Sequence, residues 1–389
     1  MDRPKIYHII TLLELGGAQQ NTLYCTKTHD RTKYRVGLIA GRGGILDKEA
    51  LVIPASKTYL VRSLRHPISP FWDLVALIRL TRVLRKESVD LVHTHSSKAG
   101  IVGRWAAFLA RVPVRIHTIH GWSFNDYHPP LKRRLFMFLE RATAKITHKF
   151  IAVAHGDVDR GLSNNIGTED KYKVIHSGMN LIEFINTRRS DPKKKRVELG
   201  LDPLRPVVGM VACFKRQKAP LDFVEAAQRV AERLPDVQFL MVGDGILRDR
   251  IEKKIMDAGL MGCVKLAGWR RDVPEVINAM DVVVLTSLWE GLPRVIPQAF
   301  ACGRPVVATA VDGSKEIVRD GENGFLASPG DVEMIAHRLI KLLTDNELRE
   351  TLSQEAARSV DLDSDFNESV MVRRIEALYD ELLKKQRKN

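Results

Sequence analysis

Cysteine is scarce in this chain and scattered. Cys25, Cys213, Cys263 and Cys302 are the only four in 389 residues, and none forms a CxxC pair. That spacing indicates neither a zinc knuckle nor a redox pair and argues against a disulfide framework, so a reducing, cytoplasmic setting is expected. Long apolar runs are also missing: none approaches the ~20 residues that a helix needs to span a bilayer. The opening MDRPKIYHIITLLELGG holds only a short apolar stretch, broken by His8 and followed by Glu14 and a glycine pair. It reads as a buried first strand rather than a leader with a small-residue cleavage site. Aromatics make up 6% of the residues and are seldom interleaved with the basic patches. No nucleic-acid recognition module is present, so nucleic acid is not an expected partner. There are no low-complexity tracts, no short-period repeat and no GxGxxG.

What is present suits a globular protein of two domains. The length allows two separate cores, and 44% hydrophobic with 28% charged residues is ordinary for folded chains. Lysine and arginine exceed the acids by enough to leave a net charge of +14. Such a balance favours an anionic partner, a nucleotide diphosphate or an anionic membrane face, although a solvated basic surface produces the same number.

Strand-like apolar runs alternate with longer helical patterns. In the first half the runs are 5–12, 35–40, 58–61, 90–93, 114–118 and 149–153, with helical spacing near 18–28, 71–86, 100–110, 131–147 and 157–162. This is the pattern of βαβ units, which build a parallel sheet covered by helices on both faces. Residues 186–205 break it with prolines and the basic run RRSDPKKKR and are expected to be a linker. A second series follows, with strands at 207–212, 237–242, 264–267, 281–285, 306–308 and 324–326, and the chain ends in a long basic helix. The expected fold class is α/β, with two doubly wound Rossmann-like domains, 1–185 and 206–362, facing a cleft. Residues 363–389 form a C-terminal helix expected to pack back on the first domain. Ligands of such sheets bind beyond the carboxyl ends of the strands, where the strand order reverses.

The segment WEGLPRVIPQAFACGRP, 289–305, carries the most specific chemistry. It is a glycine turn between an apolar strand and a helical stretch, the place where unpaired N–H groups hold phosphates. Glu290 stands at the mouth of that turn, where a carboxylate suits hydroxyl groups beside a diphosphate, as in a nucleotide sugar. Lys215, Arg216 and Lys218 follow the first strand of the second series, where cations neutralise a leaving diphosphate; a solvated basic loop is the alternative. Gly243-Asp244-Gly245 and the loop Gly268–Val273, which contains Arg270 and Asp272, also follow strands. The second can offer backbone groups to a base edge, with simply exposed arginines as the alternative, while the first is either a tight turn or a place where backbone approaches a nucleotide. Gly16-Gly17 after the first strand leaves the same choice. His93 and His95 share a strand face and could hold a metal, while His117 and His120 end another strand. His120 is the better candidate for touching a sugar, because neutral imidazole both donates and accepts hydrogen bonds. The basic stretches 129–150 and 60–86 are either membrane-surface helices or ordinary domain helices with one buried face.

Taken together, GGAQ, DLVHTHSSKAG, IHTIHG, VGMVACFKRQKAP, FLMVGDG, LAGWRRDV, TSLWEGLPRVIPQAFACGRPVVAT and DGENGFL run over nearly the whole chain. The sequence resembles the retaining glycosyltransferases of family four, which have the GT-B fold. The resemblance implies transfer of a sugar from a UDP-, GDP- or ADP-sugar to an acceptor hydroxyl with no cofactor or metal required. The expected acceptor is a lipid-linked or cell-surface polysaccharide or lipopolysaccharide precursor, reached from the cytoplasm or the cytoplasmic face of the inner membrane. It implies that Gly16 and Gly17 face the donor phosphates and acceptor, His120 touches the donor sugar, Lys218 the diphosphate and Glu290 the donor sugar. Gly291 and Leu292 match the phosphate N–H donors, and Val295 lies over the nucleotide. Two positions depart from the family. The second glutamate of its pair, which holds the ribose hydroxyls, is Gln298, and an arginine beside the diphosphate is Cys213, leaving Lys215 or Arg216 to supply the charge. Two alternatives stay open: a nucleotide-sugar epimerase or hydrolase on the same scaffold and, given those departures, a non-catalytic nucleotide-sugar-binding member.

Overall fold

The computed structural model describes residues 3–124, 127 and 129–388. The chain forms two compact units, Met1–Gly178 joined by Glu368–Asn389, and Met179–Asn367. In the first unit the strands are β1 (Lys5–Leu12), β2 (Arg35–Gly41), β3 (Lys57–Val61), β4 (Leu91–His95), β5 (Val114–Ile119), β6 (Lys149–Ala152) and β7 (Tyr172–Val174). They pair in parallel in the order β3-β2-β1-β4-β5-β6-β7. The second unit holds β8 (Val207–Val211), β9 (Gln238–Val242), β10 (Val264–Leu266), β11 (Val282–Leu285), β12 (Val306–Thr309) and β13 (Gly324–Ala327), in the parallel order β10-β9-β8-β11-β12-β13.

The central strands are continuous apolar runs because both faces of a parallel sheet are covered by helices. Val208, Met210, Phe239, Met241, Val282, Val284 and Val307 form the core of the second unit with Phe223, Ala227 and Val230 of the helix Pro220–Arg233. In each sheet the order turns over once, between β1 and β4 and between β8 and β11. At such a reversal the segments that follow the two neighbouring strands cover opposite faces of the sheet, and ligands bind beyond the strands' carboxyl ends there.

Residues 186–205 are not a free linker but part of the second unit. Asp191 accepts a hydrogen bond from the Lys193 N–H at 3.0 Å and starts the helix Pro192–Glu198, with proline at its first turn. Arg196 on this helix is buried, bonded to the Ala279 carbonyl at 2.8 Å and to Asp281 at 2.9 Å. The charge run is therefore docked by its own guanidinium.

The terminal helix Glu368–Lys388 belongs to the first unit. Met371, Val372, Ile375, Leu378 and Tyr379 pack with Ile6, Leu91, Val114 and Ile116 of β1, β4 and β5. These strand residues share one face of the sheet by the period-two rule. The other face, with Tyr7, Ile9 and Val92, packs against Ala76, Leu80 and Leu84 of the helix Pro70–Glu87.

Candidate functional site

The loops after β8 and β11 meet in the second unit. Lys218, from the short turn Arg216–Lys218, forms an ion pair and hydrogen bond with Glu290 Oε1. Lys218 is half-buried and Glu290 buried. The same carboxylate oxygen accepts the Ser287 hydroxyl at 2.6 Å, and the Glu290 N–H donates to Asp312 Oδ2 at 2.9 Å. Thr286 Oγ1 donates to the carbonyls of Lys218 and Ala219, both at 2.9 Å, and the Leu288 N–H donates to the Gln217 carbonyl at 2.8 Å. The two loops are thus laced together by backbone and side chain, and a carboxylate and an ammonium are held at one point of the switch crevice. Ser287 and Asp312 escaped the sequence reading. The available signals were a hydroxyl three residues before Glu290 and an Asp-Gly pair just past β12.

Gly291 and Leu292 are buried, and among the described residues neither backbone N–H has a hydrogen-bond partner. Buried backbone N–H groups are rarely left so, and this pair leads into the helix Val295–Ala301, with Val295 buried at its start. Two donors beside one lysine suit an anionic oxygen. Close packing of this turn requires glycine nearby: a Cβ on Gly313 would lie 2.3 Å from the Gly291 carbonyl. Gln298 is half-buried on the next turn.

Gly243 and Gly245 have positive φ, 127° and 156°. A Cβ on Gly243 would lie 2.0 Å from the Ala212 carbonyl, and one on Gly245 2.6 Å from that of Phe214. This loop lies directly against the lysine loop, and Asp244 is spent locally, on the Gly245 N–H at 2.7 Å and Arg248 at 3.1 Å. Arg270 and Asp272 form a different cluster. Asp272 is bonded to Arg270 and, at 2.9 Å, to Lys195, while Arg270 also reaches Glu198 at 2.7 Å. The hydrogen-bonded Arg270 guanidinium, aided by Lys195, outweighs partial burial and holds the Asp272 carboxyl well below the usual range. These side chains bind the helix Pro192–Glu198 to the loop, with Val273 starting the next helix, Val273–Asn278. Lys215 and Arg216 are exposed, and Cys213 is half-buried.

In the first unit Gly16 precedes the helix Gly17–Thr28 with extended backbone, φ −168°, and both glycines are half-exposed at the end of β1. The histidines divide by strand parity. His8, His93 and His95 lie on one face of β1 and β4, and His120, just past β5, joins them. His8 Nδ1 and His95 Nε2 share a hydrogen bond at 3.0 Å, and His95 Nδ1 and His120 Nε2 another at 3.3 Å. His93 bonds Tyr379 at 2.5 Å and Thr118 at 2.6 Å. His117 lies on the opposite face, 2.9 Å from Thr94 Oγ1. Among the described residues, His8, His93 and His95 bring three ring nitrogens within 4.8 Å of one another. Both nitrogens of His93 and both of His95 already have hydrogen-bond partners, so these two rings are satisfied as neutral imidazoles without a cation.

Burial pushes His8, His93, His95 and His117 well below the ordinary imidazole value of 6.5.

Two Rossmann-like units, each with candidate residues at the carboxyl edge of a parallel sheet, have the architecture of the GT-B fold. The family models agree. "Glycosyltransferase Family 4" matches residues 15–183 and "Glycosyl transferases group 1" matches residues 205–345. The chain is 32% identical over 378 residues to UDP-Gal:alpha-D-GlcNAc-diphosphoundecaprenol alpha-1,3-galactosyltransferase of Escherichia coli, covering 96% of each. It is 27% identical to N,N'-diacetylbacillosaminyl-diphospho-undecaprenol alpha-1,3-N-acetylgalactosaminyltransferase of Campylobacter jejuni, over 82% of this chain and 84% of that one. Anabaena HepE in complex with UDP-glucose superposes with a TM-score of 0.83 at 24% identity, over 97% of this chain and 99% of that one. The chain belongs to the group 1, family four glycosyltransferases.

The buried imidazoles make stability depend on pH. The unfolded chain takes up a proton on each of these four residues near 6.5 and the folded chain does not, so the unfolded state binds more protons and stability falls as pH drops. Each contributes fully above about pH 6.5 and loses about 1.4 kcal/mol per pH unit below it, down to its folded-state value. Chemical denaturation between neutral pH and pH 5 should show this decline; a flat profile across that window would mean that these rings are not buried neutral.

Proposed function

We propose that this glycosyltransferase is a retaining enzyme that moves a hexosyl group from a UDP-sugar to a hydroxyl of a lipid-linked glycan precursor. The observation that carries the reading is the Lys218–Glu290 pair at the β8/β11 switch point, beside the N–H groups of Gly291 and Leu292. The nature of the donor and acceptor is supported by the relatives, whose names specify UDP-Gal and a diphosphoundecaprenol acceptor, and by the UDP-glucose bound to HepE.

In this reading the diphosphate lies against Lys218 and the two backbone donors, with Lys215 and Arg216 adding positive potential from the exposed side of the loop. Lys218 is already partnered, so an arriving diphosphate shares it with Glu290 rather than meeting a bare cation. Glu290, fixed by Ser287 and by its own N–H on Asp312, accepts from the sugar hydroxyls. Gln298 serves the ribose diol as donor and acceptor. At the carboxyl edge of the first unit's own sheet, Gly16 and Gly17 offer open backbone and His120 an imidazole suited to phosphate and sugar groups. As the bond between the anomeric carbon and the β-phosphate oxygen breaks, Lys218 and the N–H pair stabilise the charge growing on the phosphate. The acceptor oxygen bonds to the anomeric carbon from the same face, and its proton passes to the departing phosphate. The residues that perform this step need no metal.

The first unit also supports a place for the reaction. On the helix Pro130–Ala144, Leu131, Leu135 and Phe138 follow i, i+4, i+7 spacing and are exposed, Leu131 by 81% and Phe138 by 65%. Phe71, Leu74 and Ile78 form a similar stripe at i, i+3, i+7 on the helix Pro70–Glu87, with Phe71 67% exposed. The inward face of this helix is Phe136, Met137 and Ala144, packed in the core beside the buried Glu140 and Thr143, so Leu131, Leu135 and Phe138 make a second, outward stripe. With Lys132, Arg133 and Arg134 alongside, the stripe suits the interface of an anionic bilayer. No helix among the described residues is long and apolar enough to cross one.

Product stereochemistry tests the reaction class. NMR of the glycoside formed from an α-linked donor should show an α-anomer, and a β-anomer would overturn retention. Lys218→Ala should cost about 2–4 kcal/mol of transition-state stabilisation, the scale of one lost charge-stabilising donor. Wild-type turnover in that variant, with the fold intact by circular dichroism, would remove Lys218 from the mechanism. Vesicles containing an anionic phospholipid should sediment the protein, and the triple change Leu131→Asp, Leu135→Asp, Phe138→Asp should release it; equal sedimentation of both forms would overturn the membrane role of that helix.

A further inference from the structure

The turn that carries Glu290 is tied to a third loop of the second unit, the one that leaves β12. The Thr309 hydroxyl donates to the Ser287 carbonyl at 2.6 Å, Asp312 Oδ2 accepts the Glu290 N–H at 2.9 Å, and the Gly313 N–H donates to the Gly291 carbonyl at 3.0 Å. A Cβ on Gly313 would also lie 3.1 Å from Leu292 Cα, so this loop abuts the two residues whose N–H groups await a partner. The loop reaches that place through a strained backbone. Asp312 has φ +31°, in the left-handed region that a Cβ disfavours. Among the described residues of the second unit, one other non-glycine residue has positive φ, Ala219 at 43°. One of these residues therefore follows Lys218 in the chain, and the other is hydrogen-bonded to Glu290. Such strain persists only where the surroundings over-determine it, and it collects where geometry serves function. Glycine would take the conformation of Asp312 at no steric cost, but it would bring no carboxylate to the Glu290 N–H.

We infer that Asp312 is a positioning residue for the transfer, clamping this turn so that the N–H groups of Gly291 and Leu292 are aimed together before a ligand arrives. The argument is one of planar peptides. Asp312 holds the peptide that carries the Glu290 N–H. The Gly313 N–H holds the peptide that joins Gly291 to Leu292 by its carbonyl, and in a trans peptide the Leu292 N–H must then point the opposite way. The peptide between these two carries the Gly291 N–H and is fixed from both sides. The role rests on the reading above that these two N–H groups and Lys218 hold the diphosphate, and it asks for no contact between Asp312 and substrate.

Two substitutions in the full chain separate positioning from packing. Asp312→Gly keeps the backbone conformation and removes the acceptor, whereas Asp312→Asn keeps an acceptor oxygen and tolerates the left-handed region. D312G should lower kcat roughly 10- to 100-fold, the scale of an ångström-sized misplacement of aligned groups. KM for the UDP-sugar should change little, so that kcat and kcat/KM fall together. Its thermal stability should also change little, because relief of the left-handed strain offsets the lost hydrogen bond. D312N should recover most of the lost turnover. Wild-type kcat in D312G, equal impairment of the two variants, or a fall in kcat matched by a fall in thermal stability would overturn the positioning role. Amide resonances of the 15N-labelled protein test the layer beneath. The Glu290 amide proton should move upfield in D312G but not in D312N, and UDP should shift the Gly291 and Leu292 amides of the wild-type protein. If UDP leaves those two amides unmoved, the diphosphate reading falls and this role with it; if UDP moves them while D312G turns over like the wild type, this role alone falls.

Discussion

Strands that all run parallel deliver their carboxyl ends to a single edge, and where the strand order reverses, the loops leaving two neighbouring strands stand side by side before their chains turn to opposite faces. Both sheets of this chain obey that constraint, between β1 and β4 and between β8 and β11. It determines which residues can act together. Lys218 and Glu290 are 72 positions apart in the chain, yet they meet because they leave adjacent strands on either side of the reversal. The loops around them can approach so closely only because Gly243 and Gly313 present no side chain to the carbonyls 2.0 and 2.3 Å from where a Cβ would lie.

The electrostatics of the second unit follow from that meeting. A lysine and a glutamate withdrawn from water are costly unless each is compensated, and a buried pair contributes more to defining one arrangement than to net stability. Here the compensation is dense, with Ser287 on the carboxylate and Asp312 on the Glu290 backbone. In the function proposed above, a ligand would exchange partners with groups already in position, which leaves little reorganisation for the reaction itself. Long-range attraction comes from elsewhere, from the exposed Lys215 and Arg216 and the net charge of +14.

Most of the architecture was legible because parallel strands buried on both faces must be apolar throughout. Runs such as Val282–Leu285 and Val306–Thr309 admit few other readings. β7 escaped because a three-residue edge strand, Tyr172-Lys173-Val174, is covered too little to need such a run. Residues 186–205 were misread because charge density outweighed a local signal: Asp191-Pro192 is a helix start by cap and fixed φ, whatever lysines follow. The exposed stripe of Leu131, Leu135 and Phe138 shows the converse, since periodicity reveals an apolar face without saying whether protein or another phase covers it.

The chemistry of the candidate site divides along the same line. The residue types at the strand ends, Gly16, Gly17, His120, Lys218, Glu290 and Gly291, were determined by the sequence itself, because short loops after apolar strands can lead only to the carboxyl edge of a parallel sheet. What only the tertiary structure decided is partnership. The loop of Arg270 and Asp272 reads in sequence as backbone for a base edge or as exposed arginines, and in space these two side chains pair with each other and with Lys195 and Glu198. His8 looks like a blemish in an apolar strand, yet it is the buried end of a hydrogen-bonded chain reaching His120. Pairings of this kind depend on strand order and register, which place residues tens of positions apart within 3 Å of one another, and no periodicity along a single segment carries that information.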